Sequence, residues 1–162
     1  MPLNETRSQP NQGASPLNPM AIALIEARAA AARGEVPVGA VIVAADATVL
    51  ARAGNRTREL NDPTAHAEML AIREACRRVE SERLIGCDLY VTLEPCPMCA
   101  GAVSAARIRR VYYGASDPKS GGIEQGPRVF THSTCHHIPE VYSGIAATEA
   151  SLILRDFFAA KR

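Results

Sequence analysis

Two short stretches carry residue types that could do chemistry together. DPTAHAEML (62–70) sets His66 and Glu68 two apart where an amphipathic run begins, and LEPCPMCAGA (93–102) sets Cys96 and Cys99 at a strand-to-helix junction. On a regular helix, residues two apart point to nearly opposite sides. His66 and Glu68 can therefore share a pocket only if they lie at the very start of their helix. The Cys-x-x-Cys spacing is that of metal ligands, and a helix N-terminus favours thiolate over thiol. Zinc accepts Cys and His in tetrahedral geometry, and His66 is the natural third ligand to Cys96 and Cys99, with no obvious fourth. Three protein ligands leave a position open for water, which separates a catalytic site from a structural one. Zinc can lower the pKa of that water to roughly 7. Glu68 then has a use outside the ligand set: it takes the water proton and delivers it elsewhere. The competing reading, a structural zinc site, calls for four closed ligands and leaves Glu68 idle.

The elements that must position these residues are legible in outline. Asn18-Pro19 is a cap-plus-proline start for a helix over about 19–33 that stops at Gly34. VPVGAVIVAA (36–45) and VLARAG (49–54) read as two strands of a hairpin. Asp62-Pro63 predicts a second helix start, running to about Val79, with Met69, Leu70, Ile72, Ala75, Cys76 and Val79 at helical spacing. CDLYVTL (87–93) is a third strand, CAGAVSAAR (99–107) a short helix and RRVYYGA (109–115) a fourth strand. The Gly/Pro-rich stretch 116–144 resists assignment apart from a fifth strand near 138–142. A last helix, about Thr148 to Lys161, carries Leu152, Ile153, Phe157 and Phe158. Strands alternating with helices predict an α/β three-layer sandwich, a central mixed sheet of about five strands with helices on both faces.

Length and composition set the frame. A chain of 162 residues, 47% hydrophobic and 22% charged, is long enough to bury a core as one domain over 19–162. Residues 1–18 (MPLNETRSQPNQGASPLN) are polar and Pro-rich, and are expected to be a disordered leader, not a signal peptide. No run approaches a membrane span, so a cytoplasmic protein without membrane contact is expected, its five cysteines thiols or metal ligands. A net charge of +1 gives no strong pull toward nucleic acid, but a local basic face fits within a neutral total.

H-x-E followed by P-C-x-x-C is the signature of zinc deaminases. The chain resembles the bacterial tRNA adenosine deaminases, a branch of the zinc-dependent cytidine/deoxycytidylate deaminase-like superfamily. The resemblance lies in EVPVGAV (35–41), GNR (54–56), DPTAHAE (62–68), LYVTLEPCPMCAGA (89–102), GASDPKSG (114–121) and RDFF (155–158). It implies a cytidine deaminase-like fold, conversion of adenosine to inosine at the wobble position of an arginine tRNA anticodon, and a homodimer with Zn2+ in each subunit. It also implies that His66, Cys96 and Cys99 hold the metal and that Glu68 shuttles protons. On the substrate side it implies that Asn55 hydrogen-bonds the flipped base, Val36 lines its pocket and Asp117 contacts the nucleotide backbone. Phe157 and Phe158 would pack near the anticodon loop.

Plainer readings stand beside several of these roles. Asn55 could be a turn residue after Gly54, Asp117 a turn residue before Pro118, and at least one of Phe157 and Phe158 a core residue. GGIEQGPRVFTHSTCHHIPEVYSG (121–144) departs from the family pattern. Its Cys135-His136-His137 run looks like ligands, but three adjacent residues cannot all face one ion on a regular backbone, and packing is the expected role. Deamination of a free base or nucleoside, such as guanine or cytosine, is the alternative function; a zinc-stabilised binding module is a third. RDFF favours RNA; the cations Arg56, Arg58, Lys119, Arg155, Lys161 and Arg162, which flank the predicted pocket in sequence, are the candidate phosphate contacts, while the lack of a longer basic tail leaves room for a smaller substrate. The small, apolar helix GAVSAAR suits close packing against a partner subunit.

Overall fold

The structure, a computed structural model, describes residues 18–162, so the expected leader lies outside the described residues apart from Asn18. Asn18 Oδ1 accepts the N–H of Ala21 at 2.8 Å, and Pro19 opens α1 (Pro19–Ala32). Gly34, just past the C-cap Arg33, takes φ +81, the left-handed conformation that ends the helix as the sequence predicts. β1 (Gly39–Val43) and β2 (Val49–Gly54) form the predicted antiparallel hairpin. β1 is shorter than expected, because Pro37 has no N–H and the Val38 N–H turns back to the Val36 carbonyl at 2.8 Å. Then follow α2 (Ala67–Val79), β3 (Asp88–Leu93), α3 (Pro97–Ala105), β4 (Arg110–Ala115), β5 (Glu140–Tyr142) and α4 (Ala147–Ala159).

The start of α2 differs from the prediction. Asp62 and Pro63 lie in a turn, not a helix: Asp62 Oδ1 accepts both the N–H and the hydroxyl of Thr64, at 2.8 and 2.7 Å. The short polar side chain of Asp62 thus bonds locally, two residues on, and the helix waits until Ala67.

The strand order is β2-β1-β3-β4-β5, with β1 antiparallel to both neighbours and β3, β4 and β5 parallel. Side chains alternate across this sheet. Ala40, Ile42, Leu89, Val91, Val111 and Tyr113 pack beneath α2 and α3, whereas Val41, Val43 and Ala115 face α1 and α4. The result is the expected three-layer sandwich. α4 turns Ala150, Ile153 and Leu154 inward; Leu152 and Phe158, expected on its apolar face, are 39% and 47% exposed. Gly39 lets α1 lie directly on β1, since a Cβ there would meet the Ala23 carbonyl. Among the described residues no helix is long and apolar enough to cross a membrane, and all five cysteines are free.

Sheet polarity decides where the chemistry sits. β3 and β4 run parallel, with Leu93 opposite Ala115, so their C-terminal ends deliver the 94–96 turn and the Ser116–Asp117 loop side by side. β1 runs antiparallel to β3 and pairs Gly39 with Gly54 of β2. The entry to β1 (Glu35–Val38) and the exit of β2 (Asn55) therefore reach the same edge.

Candidate metal centre and substrate cleft

His66 is the residue before the first turn of α2, with extended backbone (φ −68, ψ 152), and Glu68 is the second residue of the helix proper. The rule that sets helix neighbours two apart on opposite sides does not reach across this boundary, and both side chains turn into one site. The capping bond comes from elsewhere: Asn55 Oδ1 accepts the Ala67 N–H at 2.8 Å. The imidazole makes no cap bond and points at the cysteines, Nδ1 lying 3.6 Å from Cys96 Sγ and 3.5 Å from Cys99 Sγ. Cys96 stands in the same relation to α3, an extended residue before the first turn, with Pro97 at the helix start. The ligand atoms of His66, Cys96 and Cys99 all lie within 4.8 Å of one another, and among the described residues no other such group could hold a metal. Glu68, 4% exposed, accepts from the Cys99 thiol at 3.4 Å.

The site's protons are displaced in a pattern that suits a cation. The Cys96 thiol is pulled down to about 4 by the hydrogen bond from Cys99 and the contact with His66, against the effect of burial. Cys99 moves up, because it holds the proton the two sulfurs share and is buried beside Glu68. His66 is raised by its contact with Cys96, and Glu68 by burial above all. A thiolate, a second sulfur and an imidazole form a donor set that fits zinc, whose binding deprotonates a coordinating thiol outright.

Next to this cluster, joined to it by Leu93 three residues before Cys96, opens a cleft of about 820 Å³. Val36, Asp117 and Phe158 line it together with Lys119, Lys161 and Arg162. Phe157 does not line it. Its ring stands edge-on to Phe158, centroids 5.3 Å apart, with Lys161 Nζ 4.7 Å from its centre. The cleft is not lined by the metal cluster itself, so the two are adjoining parts of one edge. Asn55, 8% exposed, sits on the cluster side. The sequence reading gives its amide both a donor and an acceptor for a base, but Oδ1 is engaged by Ala67, and Nδ2 alone is left to donate. Among the predicted cations, Arg56 is held in two hydrogen bonds by Glu59, at 2.8 and 3.0 Å, and lies outside the residues that line the cleft. Cys135 and His137 pack as expected: the Ser104 hydroxyl donates to the His137 carbonyl at 2.7 Å and lies 3.3 Å from Cys135 Sγ.

Two buried carboxylates escaped the sequence reading. Glu35, 2% exposed, accepts from the Glu59 N–H at 2.8 Å, the Arg58 N–H at 3.2 Å and the Thr57 hydroxyl at 3.3 Å. Glu94, also 2% exposed, accepts on Oε1 from Asp117 N–H and Ser116 Oγ, and on Oε2 from the N–H groups of Ile123, Glu124 and Gln125. Burial alone would push both carboxyls up; the N–H groups outweigh it and hold them below the usual range. The signal was present: a lone glutamate at the end of an apolar stretch (EVPVG, TLEP) is tolerated in a core only when fully hydrogen-bonded.

The comparisons agree with this geometry. The sequence pattern of the cytidine and deoxycytidylate deaminase zinc-binding region matches residues 16–115. The chain is 63% identical over 143 residues to the tRNA-specific adenosine deaminase of Agrobacterium fabrum, covering 88% of this chain and 93% of that one. A solved structure from work on A-to-I editing by tRNA:A34 deaminases at the wobble position of transfer RNA is similar at 62% identity and a TM-score of 0.82. The match covers 84% of this chain and 98% of that one. Likeness to guanine deaminase from Bacillus subtilis is more partial: 42% identity, a TM-score of 0.58, and 60% and 62% of the two chains.

Proposed function

The chain belongs to the cytidine and deoxycytidylate deaminase family, among the tRNA-specific adenosine deaminases, and from that membership we propose that it hydrolyses adenosine to inosine at the wobble position of a tRNA (arginine) anticodon. The observation that carries the chemistry is the meeting of His66, Cys96 and Cys99 beside the buried carboxyl of Glu68. The relatives supply the substrate.

His66 and the two cysteines would hold zinc. When bound, the metal supplies a nucleophilic hydroxide at neutral pH. Glu68 takes a proton from the attacking water on its carboxylate and passes it to the ring nitrogen N1 as C6 becomes tetrahedral; it then takes the proton of the new C6 hydroxyl and gives it to the departing amine, which leaves the C6 carbonyl of inosine with N1 protonated. The balance is one water in and one ammonia out. Burial suits Glu68 to this work, because it raises the carboxyl from its ordinary value and so makes the carboxylate a better proton acceptor. Asn55 Nδ2 donates to the base, Val36 and Phe158 give the cleft apolar walls, and Asp117 contacts the nucleotide backbone. Lys119, Lys161 and Arg162 would meet phosphates. Phe157, off the cleft, supports Phe158 and Lys161.

We read the protein as a cytoplasmic homodimer. Pro97, Met98, Gly101 and Ala105 are exposed along one side of α3, a small and apolar stripe that suits a second subunit. Sedimentation equilibrium tests this, and an active monomer at micromolar concentration would end it. For the substrate, the test is deamination of unmodified arginine tRNA beside free adenosine, cytidine and guanine. Inosine in the tRNA alone is expected. Turnover of guanine or cytidine with the tRNA untouched would make this a free-base or nucleoside deaminase.

A further inference from the structure

We propose that Glu94 is a positioning residue for the deamination reaction: its buried carboxylate fastens the 116–125 loop to the metal-cluster turn and so sets Asp117 and Lys119 at the cleft. The proposal rests on the reading of that cleft as the substrate's place. The loop has no helix or strand of its own, so its N–H groups need partners from outside. One side chain provides partners for four of them, those of Asp117, Ile123, Glu124 and Gln125. Oε1 receives Asp117 N–H at 3.1 Å and Ser116 Oγ at 3.3 Å; Oε2 receives Ile123, Glu124 and Gln125 N–H at 3.1, 3.0 and 3.0 Å. The two oxygens thus grip the two ends of the loop separately.

Further bonds fix where the loop sits. The Glu94 N–H donates to the Ala115 carbonyl at 2.8 Å, and the Gly122 N–H donates to the Pro95 carbonyl at 2.8 Å. A Cβ on Gly122 would come within 2.7 Å of the Cys96 carbonyl carbon, and one on Gly121 within 2.6 Å of the Glu94 carboxyl. The loop backbone therefore lies directly on the residue that carries the Cys96 sulfur. A second latch closes the far end: the hydroxyl of buried Tyr113 donates to Glu124 Oε1 at 2.6 Å. At the near end Asp117 Oδ1 accepts Ser120 N–H at 3.0 Å and Lys119 N–H at 3.2 Å. Orienting Asp117 orients Lys119 with it.

Glu94→Gln separates the two grips. An amide has one acceptor oxygen, and it serves best where it meets the N–H groups of Ile123, Glu124 and Gln125. Its NH2 then faces the Asp117 N–H, donor against donor. With zinc-loaded protein, residue-resolved amide exchange should quicken on the order of tenfold or more at Asp117, Lys119 and Ser120, with residues 123–125 still protected and zinc retained. KM for arginine tRNA should rise on a similar scale, with kcat changing by less than about threefold. Tyr113→Phe should loosen Glu124 and leave Asp117 in place. Unchanged exchange at Asp117 and unchanged KM in Glu94→Gln would overturn the proposal. If that variant fails to fold, Ser116→Ala decides, since it removes one bond of the Oε1 grip: wild-type exchange at Asp117 and wild-type KM there would mean Glu94 serves stability alone. Wild-type protein that leaves tRNA untouched would defeat the functional reading instead, and the exchange data would still judge Glu94.

Discussion

Asn55 has two duties that a pair of substitutions can separate. Its Oδ1 accepts the Ala67 N–H at 2.8 Å, the only cap bond at the start of α2, and Ala67 is 0% exposed. Asn55→Ala leaves that N–H buried without a partner, at a cost of about 1–3 kcal/mol. For a chain of this size each kcal/mol is worth roughly 2–4 °C, so Tm should fall by about 2–12 °C. Because Ala67 directly follows His66, losing that bond should loosen the backbone that presents the imidazole, and zinc affinity should weaken as well. Asn55→Asp keeps the acceptor and places a negative charge at a helix N-terminus, where it is favoured. Its Tm and zinc content should match the wild type. What it lacks is the Nδ2 donor, and losing one donor aimed at a reacting group costs roughly 10²–10³ in rate. The assay is thermal unfolding, zinc content and kcat/KM on arginine tRNA for all three proteins. Asn55→Asp with wild-type kcat/KM would refute the contact with the base. Asn55→Ala with wild-type Tm would refute the cap.

Four further outcomes follow from the geometry. Cys96→Ser and Cys99→Ser should lose the zinc, measured at about one per chain in the wild type, while Cys87→Ser keeps it; full occupancy in Cys96→Ser would remove it from the ligand set. Glu68→Gln should stay folded and zinc-loaded but lose about 10²–10⁴ in kcat, and near-normal turnover would hand the proton transfers to another group. Glu35 has its carboxyl held below the ordinary value, so it binds fewer protons folded than unfolded, and its stabilisation is present above the unfolded value of 4.5 and lost as pH falls through the lower folded one. Urea unfolding should accordingly show Glu35→Gln weaker than wild type at pH 7, with the gap closing in acid; a gap independent of pH would contradict an ionised Glu35. If tRNA is the substrate, log kcat/KM should fall with log salt, each phosphate contact adding a slope of about −0.7. Lys119→Ala or Lys161→Ala should flatten that line, and Arg56→Ala, already engaged by Glu59, should not.

The sequence by itself determined the elements and the chemistry. Apolar runs with turn residues between them gave the hairpin, the strands β3 and β4 and the helices that cover them, because side-chain periodicity is a local property of the chain. Cys96 and Cys99 were legible as candidate ligands because of their short spacing, and His66 as a candidate third because of its donor type; that the three meet is a matter of the fold. What pairs with what across the sheet was not local. The alignment of β1, β2, β3 and β4 that carries Asn55, Cys96 and Asp117 to one edge depends on strand polarity, which only the folded sheet fixes. The start of α2 moved from Asp62 to Ala67 because Asp62 found a nearer partner in Thr64, and the cap came from Asn55, twelve residues back. Phe157 and Phe158, adjacent in sequence and assigned one role, were separated by helix rotation into one residue beside the cleft and one behind it. Glu35 and Glu94 show in the sequence only as lone glutamates beside apolar stretches. Only burial, with backbone N–H groups brought in from loops more than twenty residues away, turns each into the centre of a loop.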